Sequence, residues 1–317
     1  MTSSFQDILE RQGVLILDGG LATSLEKRGH RLDPHLWSAK MLIDSPEEIS
    51  AVHHAFLRAG ADCITTASYQ ASYKGFSRFG FDEAGTDELL IRSVTLARDA
   101  VNDFWSDVAR PNSRIRPLVA ASIGPYGAYL ADGSEYDGRY GIADQDLIDF
   151  HKRRFRLLVT SEADLVVCET IPSMDETRVL LDLFDATPNA RGWISFSCRD
   201  GGHLSDGSPI EAVVDLCEHI EGLVGVGVNC TAPQFVNELI TRIQPRTERA
   251  VIVYPNSGES WDAKNKKWAG TNSGESWVEM AEMWYRAGAR GIGGCCRIGP
   301  EVINQVRSQI IPIRSAE

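Results

Sequence analysis

Long apolar runs are missing from this 317-residue chain. Nowhere do about 18 apolar residues follow one another, so no membrane-spanning helix is expected. A basic surplus is missing too. Lys and Arg number 32 against 44 Asp and Glu, giving a net charge of -12. That balance excludes sequence-independent nucleic-acid binding, which needs a basic face, and it disfavours docking on anionic membranes. The opening residues Met1-Thr2-Ser3-Ser4-Phe5-Gln6-Asp7 lack a basic segment leading into an apolar core, so no secretory signal is expected. No Pro/Ser-rich linker or low-complexity stretch divides the chain, and residues 1–317 are read as a single domain. The seven cysteines are an odd number without an export signal. Reduced thiols in a cytoplasmic compartment are the simplest account. An acidic protein attracts a cationic small substrate more readily than a macromolecular polyanion.

What is present is a rhythm. Short apolar runs rich in β-branched residues occupy 14–17, 62–65, 118–121, 165–168, 193–196, 223–228, 251–254 and 291–293. Amphipathic helical patterns lie between them, for example over 46–59, 87–105 and 277–287. Near-continuous apolar runs suit parallel strands buried on both faces. Eight strand–helix units in succession predict an α/β fold, a (β/α)8 TIM barrel, with a doubly wound sheet as the alternative. The phrase Asn-Ser-Gly-Glu-Ser-Trp occurs at 256–261 and again at 272–277. The second copy has the spacing of a helix start, with Asn272 as cap and Glu275 reaching back. Lys264, Lys266 and Lys267 between the copies are read as a solvated loop.

Cysteines carry the chemistry. Cys63, Cys168, Cys198 and Cys217 lie inside apolar runs and are expected to be small core residues. Cys295 and Cys296 are adjacent and follow Gly293-Gly294, while Cys230 follows Asn229 at the end of another apolar run. Neighbouring side chains on a regular strand point to opposite faces, so both can meet one ion only where the backbone turns sharply. The two glycines are expected to permit that turn. In a barrel, strand ends of one polarity share one face. Cys230, Cys295 and Cys296 would then converge as a three-thiolate site for Zn2+ with an open fourth position, the mark of a catalytic ion.

Other polar groups end the same runs. Asp18 precedes Gly19-Gly20 and is read either as a turn residue or as a catalytic acid. Glu169 ends a buried run and needs a partner, and an amino-acid ammonium group would serve. Thr66, Ser68, Tyr126 and Asn229 join these two acids as candidate substrate-binding residues. Glu26, beside Lys27 and Arg28, is read as a member of a surface ion pair. No lysine stands at any of the eight run ends, which counts against a Schiff-base barrel enzyme.

Several stretches together resemble the homocysteine S-methyltransferase family, in its branch that uses S-methylmethionine or S-adenosylmethionine. They are Leu17-Asp18-Gly19-Gly20-Leu21-Ala22-Thr23, Thr65-Thr66-Ala67-Ser68-Tyr69-Gln70-Ala71, Ser122-Ile123-Gly124-Pro125-Tyr126-Gly127-Ala128, Gly133-Ser134-Glu135-Tyr136 and Glu169-Thr170-Ile171-Pro172. Also similar are Gly227-Val228-Asn229-Cys230-Thr231, Tyr254-Pro255-Asn256-Ser257-Gly258-Glu259 and Gly293-Gly294-Cys295-Cys296. The resemblance covers nearly the whole chain. It implies a (β/α)8 barrel, zinc held by residues matching Cys230, Cys295 and Cys296, and homocysteine as methyl acceptor. Glu169 matches the acid that holds the homocysteine amino group, and Asp18 the acid at the mouth of the first strand. The expected reaction gives methionine from a sulfonium donor, S-methylmethionine ahead of S-adenosylmethionine. Selenocysteine or another thiol as acceptor, betaine as donor, and a non-catalytic zinc or redox-sensing barrel are the competing readings. Small-molecule substrates are the expected partners, with no nucleic acid or membrane, and the chain is read as a monomer or a homo-oligomer.

Overall fold

The computed structural model describes residues 4–111, 113–262, 267–269 and 276–316. Its main sheet is made of β1 (Leu15–Ile16), β2 (Cys63–Thr65), β3 (Leu118–Ile123), β4 (Leu165–Ile171), β5 (Gly192–Phe196), β6 (Leu223–Asn229), β7 (Ala250–Tyr254) and β10 (Ala289–Ile292). These eight pair in parallel in the order β1-β10-β7-β6-β5-β4-β3-β2. The ring closes between its two ends. Leu17 bridges Cys63 in parallel, the Asp18 N–H donates to the Cys63 carbonyl at 3.1 Å, and the Asp62 N–H donates to the Ile16 carbonyl at 2.6 Å. Closure makes this a TIM barrel and disposes of the doubly wound alternative. Among the described residues no helix is long and apolar enough to cross a membrane.

Side-chain alternation sorts the apolar residues into two cores. Leu15, Leu17, Ala120, Val167, Trp193, Ile252 and Tyr254 point into the barrel. Their neighbours Ile16, Val119, Ala121, Val166, Cys168, Ile194, Val251 and Val253 point outward, against the surrounding helices. This two-sided burial is why the strands read as unbroken apolar runs. Cys63, Cys168, Cys198 and Cys217 are buried and free, as expected of core cysteines.

The N-terminal end of the barrel is plugged. The helix Phe5–Gln12 is capped by Ser4, whose Oγ accepts the Asp7 N–H while Asp7 accepts the Ser4 N–H. Phe5 and Ile8 of this helix pack into the interior cluster with Leu15, Ile115 and Leu118. Beneath them the fully buried Asp62 is held by Arg307, with Nη1 at 2.8 and 2.9 Å from its two oxygens, and by Gln12. A buried carboxylate paired in this way ties the first helix and the last helix, Pro300–Ala316, to the barrel floor.

A short antiparallel hairpin, β8 (Ser260–Asp262) and β9 (Lys267–Ala269), leaves the loop after β7. The helix Trp277–Ala287 begins with Ser276 at its N-cap position. The cap expected from Asn272 and Glu275 lies outside the described residues, as do Lys264 and Lys266.

Candidate active site

All of the polar run ends emerge on one face, at the C-terminal ends of the strands. Three thiols meet there. Cys230 Sγ lies 2.6 Å from Cys295 Sγ and 3.7 Å from Cys296 Sγ, and Cys295 and Cys296 are 3.9 Å apart. Cys230 follows β6 with φ 48°, a left-handed conformation that non-glycine residues rarely take. It turns the thiol back across the barrel mouth. Its N–H donates to the Tyr254 carbonyl at 3.2 Å.

Cys295 and Cys296 leave the end of β10 through Gly293-Gly294. Neither glycine has a positive φ, so the expected use of glycine's left-handed freedom is not what places them. Room is the reason. A Cβ on Gly294 would stand 2.3 Å from Ile298 Cγ2. Likewise a Cβ on Gly20 would stand 2.8 Å from the Cys295 carbonyl oxygen. The Asp18-Gly19-Gly20 turn and the Cys295–Ile298 turn therefore lie directly on each other, and the Gly294 N–H donates to the Asp18 carbonyl at 3.1 Å.

Without a metal, the three thiols share charge unequally. Hydrogen bonds from Cys295 and Cys296 pull the Cys230 thiol well below its ordinary pKa, while the same contacts push the other two up. Tyr136 also hydrogen-bonds Cys230 and adds to this. The cluster fits a thiophilic ion. Tetrahedral sulfur at about 2.3 Å from zinc implies S···S edges of about 3.8 Å. Two of the three edges have that length, and the third, at 2.6 Å, is shorter. Among the described residues, these three alone form a group of metal-ligating side chains close enough to hold one ion.

Two buried carboxyls share the cavity with the thiols. Glu169, 8 % exposed on β4, accepts from Ser122 Oγ on β3 and from Tyr254. Burial pushes its pKa up to about 7 against those hydrogen bonds. Asp18, 4 % exposed, accepts the Thr65 N–H at 2.8 Å and the Thr65 hydroxyl at 3.1 Å. Burial pushes it up to about 8, and the neighbouring Glu169 charge adds to the rise. A cation arriving beside them would restore both to carboxylates.

The cavity has a volume of about 360 Å³. Its inner end is formed by Leu17, Trp193 and Tyr254, all members of the barrel's interior core. Its wall includes Thr66, whose Oγ1 accepts the Ser122 N–H at 3.0 Å. Three expected substrate-binding residues do not line it. Ser68 is fully buried and donates to the Ser122 carbonyl at 2.7 Å, bracing β3 from behind. Asn229 is also fully buried and engages Thr170 with both ends of its amide. Tyr126 packs its ring against Tyr129, Tyr140 and Phe150 at 5.5, 5.3 and 5.1 Å, away from the thiols. None of the three lines the cavity, and each turns its polar or aromatic surface to protein partners.

Other lining residues escaped the sequence reading. Trp37 and Tyr69 meet edge to face with centroids 6.2 Å apart. Trp37 takes a φ of 48° in a loop that shows no hydrophobic period. Glu135 and Tyr136 come from the Gly133–Tyr136 loop, quoted for its resemblance but not for a role. Glu26 lines the cavity and among the described residues has no ion-pair partner: Lys27 is 2.6 Å from Glu301 and Arg28 is 2.5 Å from Glu48.

Known proteins match this chain along nearly its whole length. Residues 15–310 match the family described as Homocysteine S-methyltransferase. Homocysteine S-methyltransferase YbgG of Bacillus subtilis is 44% identical over 95% of this chain and 96% of its own. Selenocysteine Se-methyltransferase of Brassica oleracea is 41% identical over 98% of this chain and 93% of its own. The metallated crystal structure of the homocysteine methyltransferase MmuM from Escherichia coli superposes with a TM-score of 0.85, at 41% identity, over 95% of this chain and 98% of that one. With a barrel, a strand-end thiol trio and matches of this extent, the chain is a methyltransferase that belongs to the homocysteine S-methyltransferase family.

Proposed function

We propose that this enzyme moves a methyl group from a sulfonium donor to the thiol of homocysteine, yielding methionine, with Zn2+ held by Cys230, Cys295 and Cys296. The observation that carries the reading is the cavity itself, in which three thiols within 4 Å of one another share one space with the buried acids Asp18 and Glu169. A free thiol with a pKa near 8.5 is only a few per cent thiolate at neutral pH. Zinc in this trio would remove the acceptor's proton and keep its sulfur electron-rich.

The chain's own residues then bind and orient. Glu169, fixed by Ser122 and Tyr254, pairs with the acceptor's ammonium group, and Asp18, fixed by Thr65, supports the same charge. The Trp37–Tyr69 pair offers ring faces and edges suited to a sulfonium cation. A bond forms between the acceptor sulfur and the methyl carbon while the bond from methyl to the donor sulfur breaks. The electron pair stays on the donor sulfur, which leaves as a neutral thioether, so no proton donor is needed. Holding the two sulfur atoms in line is the protein's main contribution. An odd number of cysteines suits a reducing compartment, in keeping with a cytoplasmic enzyme.

A donor panel tests this reading. The zinc-loaded enzyme is given homocysteine with S-methylmethionine, S-adenosylmethionine or betaine, and methionine is quantified. Turnover with the sulfonium donors, highest with S-methylmethionine, is expected. Turnover with betaine alone would overturn the sulfonium reading. The same panel with selenocysteine as acceptor addresses the similarity to the Brassica enzyme.

A further inference from the structure

The cavity's charges are lopsided. Asp18, Glu26, Asp33, Glu135 and Glu169 line it, against a single cationic side chain, Arg31. The neighbouring charges outside it are already engaged. Lys27 pairs with Glu301, Arg28 with Glu48, and Arg297 with Glu259 at 3.0 Å. Asp33 caps its own turn, accepting the N–H groups of His35 and Leu36, both at 2.8 Å. Arg31 and Glu26 differ from all of these. Among the described residues neither side chain has a hydrogen-bond or ion-pair partner, and both face the same cavity. Partial burial pushes the Glu26 carboxyl above its ordinary pKa, with Arg297 opposing from longer range.

A cation and an anion left unpartnered on one cavity wall match a zwitterion. Depth decides which zwitterion. The acceptor's ammonium belongs to Glu169 and Asp18, which are buried, whereas Arg31 and Glu26 are exposed at the entrance. Arg31 shares its loop with Trp37, the ring offered to the sulfonium. We propose that Arg31 and Glu26 hold the head group of the methyl donor, Arg31 taking its carboxylate and Glu26 its ammonium. This rests on the sulfonium reading above.

Initial rates of the zinc-loaded enzyme, with donor and homocysteine each varied at saturating levels of the other, provide the test, with S-methylmethionine compared against its carboxyl methyl ester. Assayed below its amino pKa, the ester keeps the sulfonium and the ammonium and loses only the carboxylate charge. Wild type should favour the free acid in kcat/KM by about tenfold, the scale of one charge-assisted contact near a surface. Arg31→Gln should erase that preference, Arg31→Lys should restore part of it, and the KM for homocysteine should hold in both. Glu26→Gln should raise the KM for S-methylmethionine while keeping the acid-to-ester ratio. A preference that survives in Arg31→Gln, a wild type without one, or a rise confined to the homocysteine KM would overturn the assignment. No methionine from either donor in wild type would instead bring down the sulfonium reading itself.

Discussion

Asn229 clamps Thr170 across the barrel mouth. Its Oδ1 accepts the Thr170 N–H at 2.7 Å and its Nδ2 donates to Thr170 Oγ1 at 2.8 Å. The clamp joins β4 to β6 where each strand passes through a left-handed residue, Thr170 at φ 62° and Cys230 at φ 48°. Such conformations cost of order 1–3 kcal/mol each and persist where the surroundings hold them. Here the Asn229 amide holds Thr170, next to Glu169, while the neighbouring Cys230 is held through its backbone by the Tyr254 carbonyl and the Asn256 amide.

Replacing Asn229 with Ala removes both bonds and leaves the Thr170 N–H buried without a partner. A loss of about 1–3 kcal/mol of stability is expected in urea unfolding. Affinity for the proposed zinc should fall only modestly, because the Cys230 backbone keeps its bonds to Tyr254 and Asn256. If Asn229→Ala unfolds like wild type, the clamp is not what holds the two strand ends.

Removal of any one thiol should empty the metal site. Cys230→Ala, Cys295→Ala and Cys296→Ala should each purify with far less than one zinc per chain and with activity near background. Their circular dichroism should match wild type, since the trio stands at the strand ends and each change removes only one sulfur from the edge of the interior cluster. Stoichiometric zinc in Cys296→Ala would remove that residue from the ligand set.

Glu169→Gln keeps the shape and the bond from Ser122 but withdraws the charge proposed to pair with the acceptor's ammonium. The KM for homocysteine should rise about tenfold or more, the effect of losing a charge-assisted bond in a buried site. Zinc content should be unchanged. Zinc loss would mean that the residue supports the metal and does not hold the substrate.

Asp18 and Glu169 also set a pH dependence. Ordinary Asp and Glu carboxyls ionise near 4, whereas in the folded protein these two hold their protons up to about 8 and about 7. Between those limits the folded chain binds protons that the unfolded chain has released. Their contribution to stability is therefore fully present below about pH 4 and is lost as pH rises through 7 to 8. Asp18→Asn cannot ionise and keeps an acceptor for the Thr65 N–H. Its melting temperature relative to wild type should climb between pH 5 and pH 8, by roughly 2–4 °C per kcal/mol recovered. A difference that shrinks over this range would contradict the sign.

The architecture was legible because burial on both strand faces writes itself as apolar runs, and the eight runs at 14–17 through 291–293 coincide with the eight barrel strands to within a few residues. The thiol trio was legible for a related reason, since strand ends of one polarity share a face. Partnering was not. Whether Asn229, Ser68 or Tyr126 turns a polar atom toward a ligand or toward Thr170, Ser122 or an aromatic cluster depends on residues distant in the chain. Trp37 and Arg31 were missed because their loop has no period to read. Glu26 was misjudged because Lys27 and Arg28 beside it look like partners, yet they reach Glu301 and Glu48.

The plug at the barrel floor has a kinetic consequence. With Phe5 and Ile8 packed into one end and Trp193 and Tyr254 in the interior, the cavity is closed toward the barrel floor and is reached from the strand-end face. A ligand seated against Asp18 and Glu169 has to pass the place where a second ligand would sit at Trp37 and Arg31. Traffic in such a well is last in, first out: the deeper molecule loads before its companion and departs after it. On the proposed placement of the two substrates, binding and release in a fixed order are expected, and product-inhibition patterns check this.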